Sequence, residues 1–145
     1  MLKSDRTVFI VLATVIVILL VAVIFFGFTP AGIDRFTEFY VLNREGSASG
    51  YPEQVKVGQQ AVVKLGIINN EGKPTTYKIQ ITANGAIINN IETGMIANGQ
   101  KWEHDADFAF GSAGDNQTVA FYLYMNNEDI PHIKDPLLLK INVIE

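Results

Sequence analysis

Hydrophobic and polar positions divide the chain into two parts. From Thr7 to Phe28 it runs TVFIVLATVIVILLVAVIFFGF, 22 residues without a charge. As a helix this run would be about 33 Å long, matching a hydrocarbon core of roughly 30 Å. Its Val and Ile content is no obstacle, because backbone groups in lipid must bond to one another and a helix does this within one segment. Signal-peptide cores are shorter, about 7–15 residues, and Thr29-Pro30-Ala31 only loosely resembles a cleavage site. An uncleaved anchor is expected, ending at Phe28-Thr29-Pro30-Ala31-Gly32, where Pro and Gly punctuate.

The remainder alternates with a period of two. Phe36–Leu42, Val55–Val57, Ala61–Ile68, Tyr77–Ala83, Ala86–Ile91, Trp102–Phe110, Val119–Met125 and Leu137–Ile144 are short runs rich in β-branched and aromatic residues. Turn signals separate them at Asn70–Pro74, Asn84-Gly85, Asn98-Gly99, Gly111–Gly114 and Asn126–Asp129. Val119, Phe121, Leu123 and Met125 share one face, as do Leu137, Leu139, Ile141 and Val143. Seven or eight strands with no helical stretch predict an all-β, immunoglobulin-like β-sandwich preceded by one transmembrane helix. The expected organisation is a short cytoplasmic N-terminus (1–6), the membrane helix (7–28), a linker (29–35) and an extracytoplasmic sandwich (36–145). The linker is short, so the domain should sit close to the membrane surface.

Charge sets the expected orientation and narrows the partners. Lys3 and Arg6 precede the helix, opposed only by Asp5, while Asp34, Arg35 and Glu38 follow it; the positive-inside rule puts the N-terminus in the cytoplasm. Residues 29–145 carry seven Lys and two Arg against fourteen Asp and Glu, a formal charge of −5. With no basic stripe, nucleic acid is not an expected partner. The absence of cysteine excludes disulfides, thiol chemistry, cysteine-ligated metals and a lipobox anchor.

Candidate chemistry is sparse. Glu103, Asp105 and Asp107 project from one face of a strand and could offer oxygen ligands to a cation such as Ca²⁺, although a solvated face guarding an edge explains them more simply. Trp102, His104, Ala106, Phe108 and Phe110 take the other face, so His104 is expected at the end of a core face. His132 is expected in a loop, and neither histidine has a nearby metal-binding partner in sequence. No GxSxG surrounds Ser47, Ser49 or Ser112. No catalytic residue and no cofactor is expected. Asn116-Gln117-Thr118 is an N-glycosylation triplet in an expected turn.

The outer faces are more informative. Tyr122 and Tyr124 lie opposite a core face, Phe39 and Val41 opposite Phe36, Tyr40 and Leu42, and Leu138 and Ile144 interrupt the polar face of the last strand. Apolar residues on both faces suggest an outer surface covered by a partner: another membrane or envelope protein, a second copy, or the lipid bilayer.

From Phe36 onward the segments FTEFYVLNREGSASGYP and VKVGQQAVVKLGIINNEGKPTTYKIQI, then NGQKWEHDADFAF, FYLYMNN and LLLKINV, resemble a largely archaeal membrane-protein family, domain of unknown function 1616. The resemblance implies an extracytoplasmic domain and no established activity, and members often carry several transmembrane helices where this chain has one. The expectation is a noncatalytic, membrane-anchored interaction or scaffold module, an accessory subunit of an envelope or membrane complex. Two alternatives stand beside it: a subunit of, or a protein associated with, a pilin- or archaellum-like surface filament, whose subunits also join an apolar helix to a β-domain, and an ectodomain binding a ligand, glycan or calcium.

Overall fold

A computed structural model describes residues 2–27 and 34–145. Two compact units divide at Asp34 and Arg35. The first holds one helix, α1 (Leu2–Gly27). It starts ahead of the apolar run, since helical hydrogen bonding does not stop where lipid would. Over Arg6–Ile24 it is long and apolar enough to cross a membrane, and Val8 through Ile24 are exposed almost throughout. A helix that is apolar all round has the character of a lipid-facing segment. The proposed terminator at residues 28–32 and most of the 29–35 linker lie outside the described residues.

The second unit contains eight strands: β1 (Phe36–Leu42), β2 (Gln54–Lys56), β3 (Ala61–Asn70), β4 (Thr75–Ala83), β5 (Ala86–Ile96), β6 (Lys101–Phe108), β7 (Gly114–Met125) and β8 (Leu137–Ile144). They form a three-stranded sheet, β1-β3-β6, facing a five-stranded sheet, β2-β8-β7-β4-β5. Neighbours pair antiparallel except β2 and β8, which are parallel. The fold is an all-β, immunoglobulin-like sandwich.

Alternation builds the core. Val63, Leu65 and Ile67 of β3 meet Ile79 and Ile81 of β4, Val119, Phe121 and Leu123 of β7, and Ile141 of β8, all in one buried cluster. Phe108 meets Phe121 edge to face, with ring centroids 6.2 Å apart, a favoured aromatic geometry. Several strands outrun their apolar patterns: β5 continues to Ile96 and β7 begins at Gly114, because ladder bonds extend through polar residues that need no burial.

The Asn84-Gly85 hairpin fixes one register. Both residues have positive φ, 48° and 83°, as a two-residue primed turn requires, and Ala83 therefore faces Ala86. The sandwich has two ends. At the near end, where the chain arrives at Phe36, lie the β3–β4, β5–β6 and β7–β8 connections. The Asn84-Gly85 turn and β2 occupy the far end.

Candidate interaction surface

The outer faces of the two sheets differ in chemistry. On the three-stranded sheet Lys64 faces Asp105 and Gly66 faces Glu103. Lys64 Nζ lies 2.7 Å from Asp105 Oδ1, Lys101 Nζ 3.2 Å from Glu103 Oε1, and Gln60 Nε2 donates to Asp107 Oδ2 at 3.1 Å. The Tyr40 hydroxyl donates to Glu103 at 2.9 Å, and its ring covers the position a Cβ on Gly66 would occupy. Burial, then the carboxylate beside it, pushes the Tyr40 phenol up to about 12. The Tyr40 hydrogen bond, with Lys101 after it, holds Glu103 below the usual carboxylate range, and Lys64 does the same for Asp105. Each carboxylate of the row thus has its own partner. Among the described residues no group of three or more His, Asp or Glu converges as a metal site.

The five-stranded sheet presents a different face. Ile87, Thr82, Ala120 and Leu138 stand opposite one another across four strands. The small central pair lies low, while Ile87 is 59% and Leu138 56% exposed. In the adjoining rows Tyr122 pairs with Gln80 and Tyr124 with Lys78. Lys78 Nζ sits 4.8 Å above the Tyr124 ring, and the Tyr124 hydroxyl donates to Gln80 Oε1 at 3.4 Å. Ile144 is exposed farther along β8. Two aromatic rings beside an apolar row form a surface suited to a protein contact.

Four of the six expected outer-face residues, Tyr122, Tyr124, Leu138 and Ile144, share this sheet. Phe39 and Val41 do not and are corrected: they stand opposite Ile67 and Leu65 and pack against the core. In β1 apolar residues occur at both parities, and Tyr40 takes the outer face because Gly66 leaves room for its ring. Ile87 was missed. Its signal was the Asn84-Gly85 turn, which puts Ile87 opposite Thr82.

His104 also departs from expectation. It is exposed and stacked on Trp102 at 5.5 Å between ring centroids, because β6 is an edge strand with cover on one side only. His132 lies in the β7–β8 loop, its Nε2 3.0 Å from Glu71 Oε1. Thr37 Oγ1 donates to the same carboxylate oxygen at 2.6 Å, and the Tyr77 hydroxyl lies 2.9 Å from Thr37 Oγ1. The carboxylate, not the imidazole, sits between the other groups, so His132 is not positioned to take the Thr37 proton as a catalytic triad requires. Asn116 is exposed at φ 51° within β7, its N–H bonded to Asn142 Oδ1 at 2.8 Å. At the far end a cleft of about 280 Å³ is lined by Arg44, Glu45, Gln54, Gln59 and Gln60 among others.

Among solved structures the chain is similar to the CARDB domain of the PF1109 protein from Pyrococcus furiosus, crystallised with di-metal ions, at TM-score 0.52 and 13% identity over 75% of this chain and 94% of that one. The solution structure of that domain gives TM-score 0.51 and 14% identity over 76% and 97%. A β-glucosidase from Listeria innocua matches at TM-score 0.53 and 10% identity over 76% of this chain but only 16% of its own length. At these identities the likeness shows the fold alone. Comparison with curated proteins returns no match. Residues 30–138, nearly all of the sandwich, match a family model, and the chain belongs to that family: Domain of unknown function (DUF1616).

Proposed function

We propose that this chain is a noncatalytic interaction module, held at the outer face of the cell membrane by α1 with its N-terminus in the cytoplasm. It docks another membrane or envelope protein through the outer face of the five-stranded sheet. The observation that carries the reading is the contrast between the two faces: charges paired among themselves on one, and an apolar row beside two tyrosines on the other. Lys3 and Arg6 ahead of the apolar run support the orientation. The di-metal ions of the PF1109 domain raise an ion-binding reading for Glu103, Asp105 and Asp107. Their separate engagement by Tyr40 and Lys101, Lys64 and Gln60 favours a charged edge instead. The far-end cleft, with its amides and one charge of each sign, favours a small polar ligand as a second reading.

The test uses the lack of natural cysteine. Leu138→Cys and Tyr122→Cys should crosslink in native membranes to one partner of constant mass, and Asp105→Cys on the opposite face should not. A product at twice the mass of the chain would identify a second copy. Equal capture from both faces would defeat the proposal.

A further inference from the structure

The near end of the sandwich carries exposed apolar side chains that stand outside the core and beyond the tyrosine rows of the outer sheet face. Phe36 opens β1 opposite Asn70 and is 47% exposed; Met95, opposite Thr76 on β5, is 74% exposed, and Ile130 76%. Ile130 belongs to the same end. The Asn126 N–H donates to Thr76 O at 3.0 Å where the β7–β8 loop leaves, and the His132 N–H donates to Leu123 O at 2.7 Å where it returns. Asn126 and Asn127, both at positive φ, make the tight turn. Three large apolar residues thus stand at one end of the domain, two of them three-quarters exposed.

The chain itself indicates what covers them. The sandwich begins at Phe36, and α1 ends at Gly27. The residues between, 28–35, extend at most about 28 Å even when fully stretched. On a chain anchored through α1, a tether of that reach bounds how far Phe36 can move from the membrane surface. Basic Arg35, Lys73 and Lys134 stand here among acidic Asp34, Glu128, Asp129 and Asp135, so there is no strong field to attract or repel anionic headgroups, and apolar insertion would set the contact.

We propose that the near end of the sandwich rests on the lipid surface, with Phe36, Met95 and Ile130 reaching into the boundary between headgroups and acyl chains. The inference rests on the membrane-anchored reading above. It adds a second contact that limits how the domain can tilt on its tether and leaves the outer sheet face and the far end directed toward partners.

The test uses the full chain reconstituted in phosphatidylcholine vesicles. Single cysteines, Met95→Cys and Ile130→Cys, carry an environment-sensitive fluorophore, with Gln54→Cys at the far end as control. The near-end probes should emit at shorter wavelength than the control. Lipids brominated on their acyl chains should quench them several-fold more strongly, and aqueous iodide several-fold less. Near-end probes as open to iodide as the control would overturn the proposal. So would probes shielded from both quenchers, which would mean that protein rather than lipid covers this end. Vesicle flotation of the same samples separates the two readings. Protein that floats while its near-end probes stay wet refutes only the lipid contact, and protein that fails to float refutes the anchor and this inference with it.

Discussion

Replacing Asn69 by alanine should be among the most destabilising single changes outside the apolar core. The side chain is fully buried and makes four bonds. Its Nδ2 donates to Lys73 O and Ile96 O, each at 2.8 Å, and its Oδ1 accepts from the Glu71 N–H at 3.0 Å and the Tyr77 hydroxyl at 3.3 Å. These bonds fasten the β3–β4 turn to the end of β5. Truncation does not affect the four partners equally. Lys73 O still accepts from Thr75 Oγ1, and the Tyr77 hydroxyl still has Thr37. Ile96 O and the Glu71 N–H lose the side-chain partner that Asn69 supplied. A buried group left unpaired costs about 1–3 kcal/mol and an ordinary bond about 1 kcal/mol net, so the expected loss is about 3–5 kcal/mol. For a domain whose whole stability is about 5–15 kcal/mol, that is a large fraction. Urea unfolding of the detergent-solubilised chain, followed by emission of its only tryptophan, Trp102, measures it. With a slope of about 1–3 kcal/mol per molar, the midpoint should fall by roughly 2 M. Asn70→Ala, next in sequence but only half-buried and holding one long 3.4 Å bond to Glu38, should cost at most about 1 kcal/mol. If Asn69→Ala lost no more than Asn70→Ala, the hub reading would be wrong.

Three further outcomes follow from the same geometry. The Tyr40 phenol is raised from 10.0 to about 12 in the folded domain, so its contribution to stability is fully present below pH 10 and fades as pH climbs toward 12; absorbance at 295 nm and alkaline unfolding should both show this, and Tyr40→Phe should remove it. Gly66→Ala puts a methyl group where the Tyr40 ring lies and should cost about 1–3 kcal/mol as overpacking, with the Tyr40 titration moving back toward that of an ordinary phenol; an unchanged titration would count against the contact. Phe121→Ala removes the largest fully buried side chain and should cost about 3–5 kcal/mol, read as a lowered urea midpoint with the native Trp102 spectrum retained at low denaturant.

Much of the architecture could be read from the sequence because two periodicities carry it. An uncharged run of helical length and a succession of two-residue alternations broken by Asn-Gly and Gly-rich turns have few other structural solutions. Faces were legible wherever one parity was uniformly apolar and the other less so, as along Val119–Met125 and Leu137–Val143. They were not legible in β1, where Phe36, Phe39, Tyr40, Val41 and Leu42 fill both parities. There the choice depended on a long-range fact, the bare Gly66 on the neighbouring strand that accepts the Tyr40 ring. The same holds for the interaction surface. Its tyrosines and Leu138 were visible as exceptions to alternation, but Ile87 joins them only through pairing with Thr82. The polar hub around Asn69 was invisible, because it forms only when the β3–β4 turn and Tyr77 close against Ile96 at the end of β5.

The position of β1 has a mechanical consequence. β1 is the strand nearest the tether in sequence, and it pairs with β3 at seven consecutive positions, from Phe36↔Asn70 to Leu42↔Lys64. Tension entering at Phe36 and directed along β1 would draw it lengthwise past β3, loading the whole ladder in shear instead of peeling one rung at a time. A partner pulling on the far side of the sandwich would therefore meet resistance from many bonds breaking together. The same strand that starts the fold would then act as the coupling through which a bilayer-held α1 would bear load.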